Sequence, residues 1–143
     1  LQIVLKKPIK MENTHRIDRL EILKQQQDLF ALVNEVQPGY FREQTAALGN
    51  YYGIHDRGKL VACCGERMKM EDFTEISAVV TQPDSRGKGY AKQLIKHTTD
   101  SVFQQNKIPY LHVLESNHNL IVLYKKLGFK TRRKLPFFKL GTL

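Results

Sequence analysis

Hydrophobic and polar positions follow a mixed pattern up to about residue 50 and alternate in strand fashion beyond it. LQIVLK at the start predicts a strand. The stretch RLEILKQQQDLFALVNEV reads either as one long helix or as a short strand over Leu20 to Leu23 followed by a helix from about Gln26 to Val36. The second reading is preferred. Pro38 and Gly39 stop that helix, and YFREQTAAL predicts another short one before Gly49. YYGIHDRGKLVACCGERMKM then predicts two strands around an Asp56-Arg57-Gly58 turn. TEISAVVT, rich in β-branched residues, predicts a third antiparallel strand. A helix, the strand IPYLHVL, a helix NHNLIVLYKKL closed by Gly128 as a left-handed cap, and a terminal basic hairpin or strand complete the order. The fold class is mixed α/β, with a mostly antiparallel central sheet flanked by helices. No repeat, linker or low-complexity tract divides it, so residues 1–143 read as one domain.

Composition narrows the class. Hydrophobic residues make up 41% and charged residues 26%, a globular balance, and no apolar run approaches the roughly 18 residues of a membrane span. The N-terminal segment has no small-residue cleavage site and reads as a strand, not a signal peptide. The chain opens on Leu1 and not Met, so an upstream segment is expected to be missing. Cys63 and Cys64 are adjacent and would point to opposite faces of a strand, pairing only through a strained vicinal bridge. A reduced, cytoplasmic protein is the expectation. The net charge of +9 calls for an anionic partner: nucleic acid, a phosphorylated cofactor, or none if the charge is a solvated face. Lys125, Lys126, Lys130, Arg132, Arg133 and Lys134 form the densest cluster.

The stretch TQPDSRGKGYAKQLIKHTTD carries the most specific chemistry. Ala91, Leu94, Ile95, Thr98 and Val102 form one helical stripe, with Lys92, Gln93, Lys96 and Asp100 opposite. The helix should pack by that stripe, which leaves its N-terminus at Arg86-Gly87-Lys88-Gly89. There the first N–H groups lack acceptors and the helix dipole is positive. Glycines permit positive φ and let a ligand reach the backbone, so strand, glycine turn and helix make a pyrophosphate cradle. The spacing excludes a P-loop, which needs four residues between its glycines and then Gly-Lys-Ser/Thr. It also lacks the third glycine of a dinucleotide fingerprint, where Lys92 stands. A glycine turn without a ligand is the remaining alternative.

Arg86-Gly87-Lys88-Gly89-Tyr90-Ala91 resembles the acetyl-CoA-binding motif of the GNAT superfamily of N-acetyltransferases, Arg/Gln-x-x-Gly-x-Gly/Ala. LHVLESNHNLIVLYKKLGF is similar to that superfamily's later block, carried here by Asn117, Tyr124 and Leu127-Gly128-Phe129. A softer resemblance, to one bacterial-type subgroup, runs from PGYFREQTAALGNYYGI through GERM to TEISAVVTQPD. In all it covers about residues 38 to 134, while residues 1–37 match weakly. The resemblance implies a GNAT-like acyl-CoA N-acyltransferase fold. It also implies an N-acetyltransferase that moves the acetyl group of acetyl-CoA to a primary amine by direct attack in a ternary complex, with no metal. It places the pantetheine along the backbone of Val79, Val80 and Thr81, beside a splayed YLHVL strand, and the phosphates at Arg86, Gly87, Lys88, Gly89, Tyr90 and Ala91. Asn117 and Tyr124 complete the cofactor contacts.

Acyl transfer from a thioester needs a proton for the departing thiolate and a base for the amine. Tyr124, with a phenol pKa of ~10, is the candidate general acid. Its other reading is core packing with Leu120 and Leu127 on one helix face. Asn117 can cap its helix and contact the pantetheine together. Glu75 is the first-choice general base, because alternation sets it on one face with Ser77 and Val79. Many members of the superfamily carry that glutamate where Ser77 stands. Glu66, His112 or an ordered water are the alternatives, the first two also readable as structural hydrogen-bonders. Cys63 and Cys64 read as small core residues, and no spacing resembles a metal site. The competing functions are a basic nucleic-acid-binding module, for which only PFFKL suggests interleaved aromatics, and a catalytically inactive CoA-binding domain. The expected partner is a small-molecule or peptide amine recognised by residues 14 to 50, with no specific nucleic acid and no membrane, in a monomer or homodimer.

Overall fold

The computed structural model describes residues 1–12, 14–20, 22–36 and 50–133. They form strands β1 (Gln2–Val4), β2 (Asp18–Arg19), β3 (Tyr51–Asp56), β4 (Lys59–Lys69), β5 (Phe73–Thr81), β6 (Ile108–His112) and β7 (Lys130–Arg133). Helices α1 (Ile22–Val36), α2 (Tyr90–Gln104) and α3 (His118–Lys126) accompany them. The strands make one sheet in the order β2-β3-β4-β5-β6-β1-β7, antiparallel at every pairing except β5 with β6. This is the predicted mixed class. The predicted meander is β3-β4-β5; its first turn holds Arg57 at φ 53° and Gly58 at φ 79°, the two left-handed residues that match a hairpin's twist. No helix among the described residues is long and apolar enough to cross a membrane.

Neighbouring residues enter opposite faces, so the sheet is buried on both sides. Tyr52, Cys64, Ile76, Leu94 and Ile95 belong to one apolar cluster, with Tyr124 and Phe129 beside them. Tyr51, Cys63, Val80, Leu29 and Val33 belong to the other, beneath α1. Both cysteines are buried, as small core residues. The Leu29, Leu32 and Val33 stripe explains why α1 docks there.

Three expectations change. The strand expected at Leu20 to Leu23 is only the pair Asp18–Arg19, and the helix expected from about Gln26 already begins at Ile22. Strand β2 pairs with β3 through Asp18–Gly53 and Arg19–Tyr52, and the Leu20 N–H bonds the Tyr51 carbonyl at 2.8 Å just before the helix starts. Gln93, expected on the solvent side of α2, is 4% exposed. Its side-chain carbonyl accepts from the Thr14 N–H at 3.1 Å and its amide donates to the Glu12 carbonyl at 2.8 Å, pinning the segment after β1 to the helix. The strand β1 runs inside the sheet, antiparallel to β6 and β7, with Ile3 and Val4 buried towards opposite faces. The Pro38-Gly39 stop, the YFREQTAAL helix and everything from Lys134 onward lie outside the described residues.

Candidate functional site

The parallel pairing of β5 with β6 is short. It joins Phe73 to Ile108, Thr74 to Pro109 and Glu75 to Tyr110, and stops there while β5 continues to Thr81. On its other side β5 carries a bulge: Ala78 and Val79 together face Cys64, between the Ser77–Gly65 and Val80–Cys63 pairs. A bulge resets which face each side chain enters. Val79 packs with the Ile76 cluster and Val80 with the Cys63 cluster. The expected run of Glu75, Ser77 and Val79 along one face is therefore broken at Val79, because strict alternation assumes a regular ladder.

Two adjoining cavities open where the strands part. The larger, about 670 Å³, is lined by Val79, Val80 and Thr81 on β5, Arg86, Gly87, Gly89, Tyr90 and Ala91 on the glycine turn, and Asn117. Every residue expected to hold the cofactor lies there except Lys88, which is exposed beside it, and Tyr124. Lys92, Asn119 and Leu123 also line it; they are not among the residues that carry either motif, which leaves no sequence signal to find them by.

The turn has the required backbone. A single 3-10 turn, Pro83–Ser85, leads to Gly87 at φ 81° and to Gly89 at φ 79°, the N-cap of α2. No side chain caps the helix, so its first N–H groups have no intrahelical acceptor and carry the positive end of the dipole. A Cβ at Gly87 or Gly89 would meet nothing within 4 Å. The space before these N–H groups is open, which fits a diphosphate held by backbone donors. Asn117 accepts from the Leu120 N–H at 3.5 Å as the N-cap of α3 while lining the same cavity.

The smaller cavity, about 180 Å³, is lined by Glu75, Ser77, His112, Tyr124 and Arg67, and shares Val79 and Leu120 with the larger one. Here the structure brings together three groups that the sequence offered separately. His112 Nδ1 lies 2.9 Å from Glu75 Oε2, a bond in which the ring N–H donates to a carboxylate that is 7% exposed. Gln2, opposite His112 in the β1–β6 register, sets its amide nitrogen 3.5 Å from His112 Nε2. Tyr110 stacks edge-on to His112 at 5.7 Å, and burial, then the Glu75 charge, pushes its phenol above the ordinary value. Tyr124 is 3% exposed and packs edge-on against Phe129 at 5.4 Å. It is a core ring, as the packing reading expects, and it also borders the cavity.

Glu66 is different. It is fully buried, held by Lys69 at 3.1 Å, Gln105 at 3.3 Å and Asn50 at 3.5 Å, and it borders neither cavity. These are the contacts of a structural hydrogen-bonder. Burial pushes the Cys63 thiol far up and the Cys64 thiol to about 12, so neither is an activated nucleophile.

Comparison with known proteins gives concordant results. A family model described as FR47-like protein matches residues 51–137. A structure assigned to the GNAT family of acetyltransferases, from Novosphingobium aromaticivorans, superposes with a TM-score of 0.84 at 32% identity, over 92% of this chain. This chain spans 59% of that protein's length. An aminoglycoside N-acetyltransferase, AAC(6')-Iy, in complex with CoA superposes with a TM-score of 0.73 at 14% identity, over 90% of this chain and 96% of that one. An acyl-CoA N-acyltransferase structure from Klebsiella pneumoniae gives 0.68 at 19% identity, over 88% and 90%. At these lower identities the likeness is one of fold. No curated protein matches by sequence.

Proposed function

This chain belongs to the FR47-like family and, through it, to the GNAT superfamily, and from that premise we propose that it is an acetyl-CoA-dependent N-acetyltransferase acting on a primary amine. The observation that carries the reading is the uncapped start of α2 behind Gly87 and Gly89, opening on the cavity left by the parted strands. A thioester bound there supplies an activated acetyl group. The N–H groups of the turn hold its phosphates, and the unpaired edge of β5 from Ser77 to Thr81 offers peptide groups to the pantetheine as an added strand would. This arrangement aims the acyl end at the smaller cavity.

In that cavity Glu75 takes a proton from the incoming ammonium, directly or through water, leaving the nitrogen lone pair free to form the C–N bond. His112 donates to Glu75 Oε2 and so fixes the carboxylate in place. Its Nε2 is met by the Gln2 amide at 3.5 Å, which supports Glu75, and not the imidazole, as the base. As the tetrahedral intermediate collapses, the nitrogen gives its second proton to water, and as the C–S bond breaks Tyr124 gives its phenolic proton to the thiolate and regains one from solvent. Overall an ammonium and a thioester become an amide and a thiol, with one proton released. No cysteine here can serve as an acyl carrier, since both thiols are buried and held protonated, so the transfer is direct, within a ternary complex.

The acceptor is a small-molecule or peptide amine. AAC(6')-Iy, a structural neighbour by name an aminoglycoside acetyltransferase, supports a small polar amine as the first class to test. Thiol release from acetyl-CoA, followed with a panel of amino sugars, polyamines, amino acids and peptides, tests the proposal. Release that depends on an added amine, with intersecting initial-rate lines, is expected. Parallel lines would contradict the ternary complex, and binding without turnover on any amine would leave a CoA-binding domain.

A further inference from the structure

A second concavity lies on the other side of Lys92. It measures about 700 Å³ and runs between the segment following β1, the start of α2 and the end of α3. Six lysines line it: Lys6, Lys7, Lys10, Lys92, Lys126 and Lys130, with no Asp or Glu among the lining residues. All six are exposed, and none forms an ion pair with a described residue. So much unneutralised charge around one hollow raises the local concentration of anions. Leu5 and Ile9, both buried, give the hollow an apolar floor.

The groove is built rather than incidental. The lysine-bearing segment is anchored at one end by the Leu5 N–H on the Pro109 carbonyl at 3.0 Å. At the other end the buried Gln93 holds Glu12 and Thr14. Lys92, in the first turn of α2, lines both this groove and the cavity of the glycine turn, so the two adjoin at its side chain. A ligand with a diphosphate at Gly87 and Gly89 and a further phosphate one sugar away can therefore reach from one into the other. The volume suits a nucleoside-sized group with an apolar ring and an anionic end. A long polyanion such as a nucleic acid would instead call for charge spread along an open face.

Resting on the reading of the larger cavity as the CoA site, we propose that the lysine groove binds the 3′-phosphate of CoA, making this chain selective for CoA over thioesters that lack that phosphate. Carrier-bound or free phosphopantetheine thioesters are then poor donors.

The test compares CoA with 3′-dephospho-CoA by calorimetric titration on three proteins: the unaltered chain, Lys10→Gln/Lys126→Gln, and Lys59→Gln/Lys107→Gln, which removes the same charge away from the groove. The unaltered chain and the second pair should bind CoA about 10-fold tighter than dephospho-CoA or more, and the groove pair should bring the two within about 3-fold, the scale of one or two charge-assisted bonds. All four positions tested are at the surface, and melting curves for each protein confirm that folding is retained. Equal affinity for the two ligands on the unaltered chain overturns the groove assignment and leaves the CoA reading standing. A preference that survives in the groove pair overturns it as well. No binding of either ligand overturns the CoA reading itself. A single-stranded oligonucleotide that binds the unaltered chain more tightly than CoA, and loses that affinity in the groove pair, assigns the groove to nucleic acid instead.

Discussion

Gly89→Ala isolates what the glycine turn does. Gly89 holds φ 79° at the N-cap of α2, and a Cβ there meets nothing within 4 Å. The substitution adds no clash, so its cost is that of a left-handed backbone in a non-glycine residue, about 1–2 kcal/mol. In a domain of this size that lowers Tm by roughly 3–10 °C. Gly58→Ala is a matched control, because Gly58 in the β3–β4 turn also has φ 79° and also has open surroundings. The two variants should lose similar stability without ligand. They should part company when CoA is added. At about 100 times Kd a ligand stabilises by ~2.7 kcal/mol, and a tenfold weakening removes ~1.4 kcal/mol of that. Thermal melting with and without CoA should show a full ligand-induced rise for Gly58→Ala and less than about half of it for Gly89→Ala, whose methyl group stands before the phosphate-binding N–H groups. Equal rises in both would refute the assignment of the cradle to this turn.

Tyr124→Phe keeps the ring that packs on Phe129, so stability should change by no more than about 1 kcal/mol, while kcat falls roughly 10 to 10⁴-fold with CoA affinity nearly unchanged; the defect should shrink as pH rises toward the thiol pKa, and normal turnover would return Tyr124 to a packing role. Glu75→Gln should slow turnover about 10²-fold or more while CoA affinity stays near normal, read from kcat and a CoA titration on the same variant. Glu66→Gln should leave kcat near normal but lower the urea midpoint, since Lys69 loses its buried partner; the opposite pattern would exchange the two glutamates. Because burial raises both cysteine thiols, the folded state holds protons that the unfolded chain gives up. Stability should therefore be fully present below the ordinary value of 9.0 and fall as pH rises from there towards about 12, which urea melts across that range would check against a double Cys→Ala variant.

Much of this was legible because it rests on local chemistry. Gly87 and Gly89 announce a positive-φ turn, and the stripe from Leu94 to Val102 buries α2, so the open N-terminal end of the helix follows from spacing alone. Asn117 and Gly128 bracket α3 as cap residues should. What the sequence hid depends on partners distant along the chain. Nothing in LQIVLK tells that it enters the sheet between β6 and β7, and so nothing foretells Gln2 beside His112. Glu75 and His112 lie 37 positions apart, and only the parallel pairing of β5 with β6 sets them in one cavity. The bulge at Ala78 and Val79 is a property of two strands together. Gln93 looked solvent-facing because its partners, Glu12 and Thr14, belong to a segment whose path has no periodic signature. The lysine groove is hidden for the same reason: Lys126 and Lys130 belong to the terminal cluster, but only the fold joins them to Lys6, Lys7, Lys10 and Lys92, while Arg132 of that cluster sits over the Phe73 ring at 5.1 Å.

A crystal structure with CoA bound tests the central claim most directly. The account predicts the diphosphate on the N–H groups from Gly87 to Ala91, the pantetheine along the unpaired edge of β5, and the thiol sulfur within about 3.5 Å of the Tyr124 hydroxyl, in the cavity that Glu75 borders. A CoA molecule whose phosphates lie away from the glycine turn, or whose sulfur is remote from Tyr124, would contradict it.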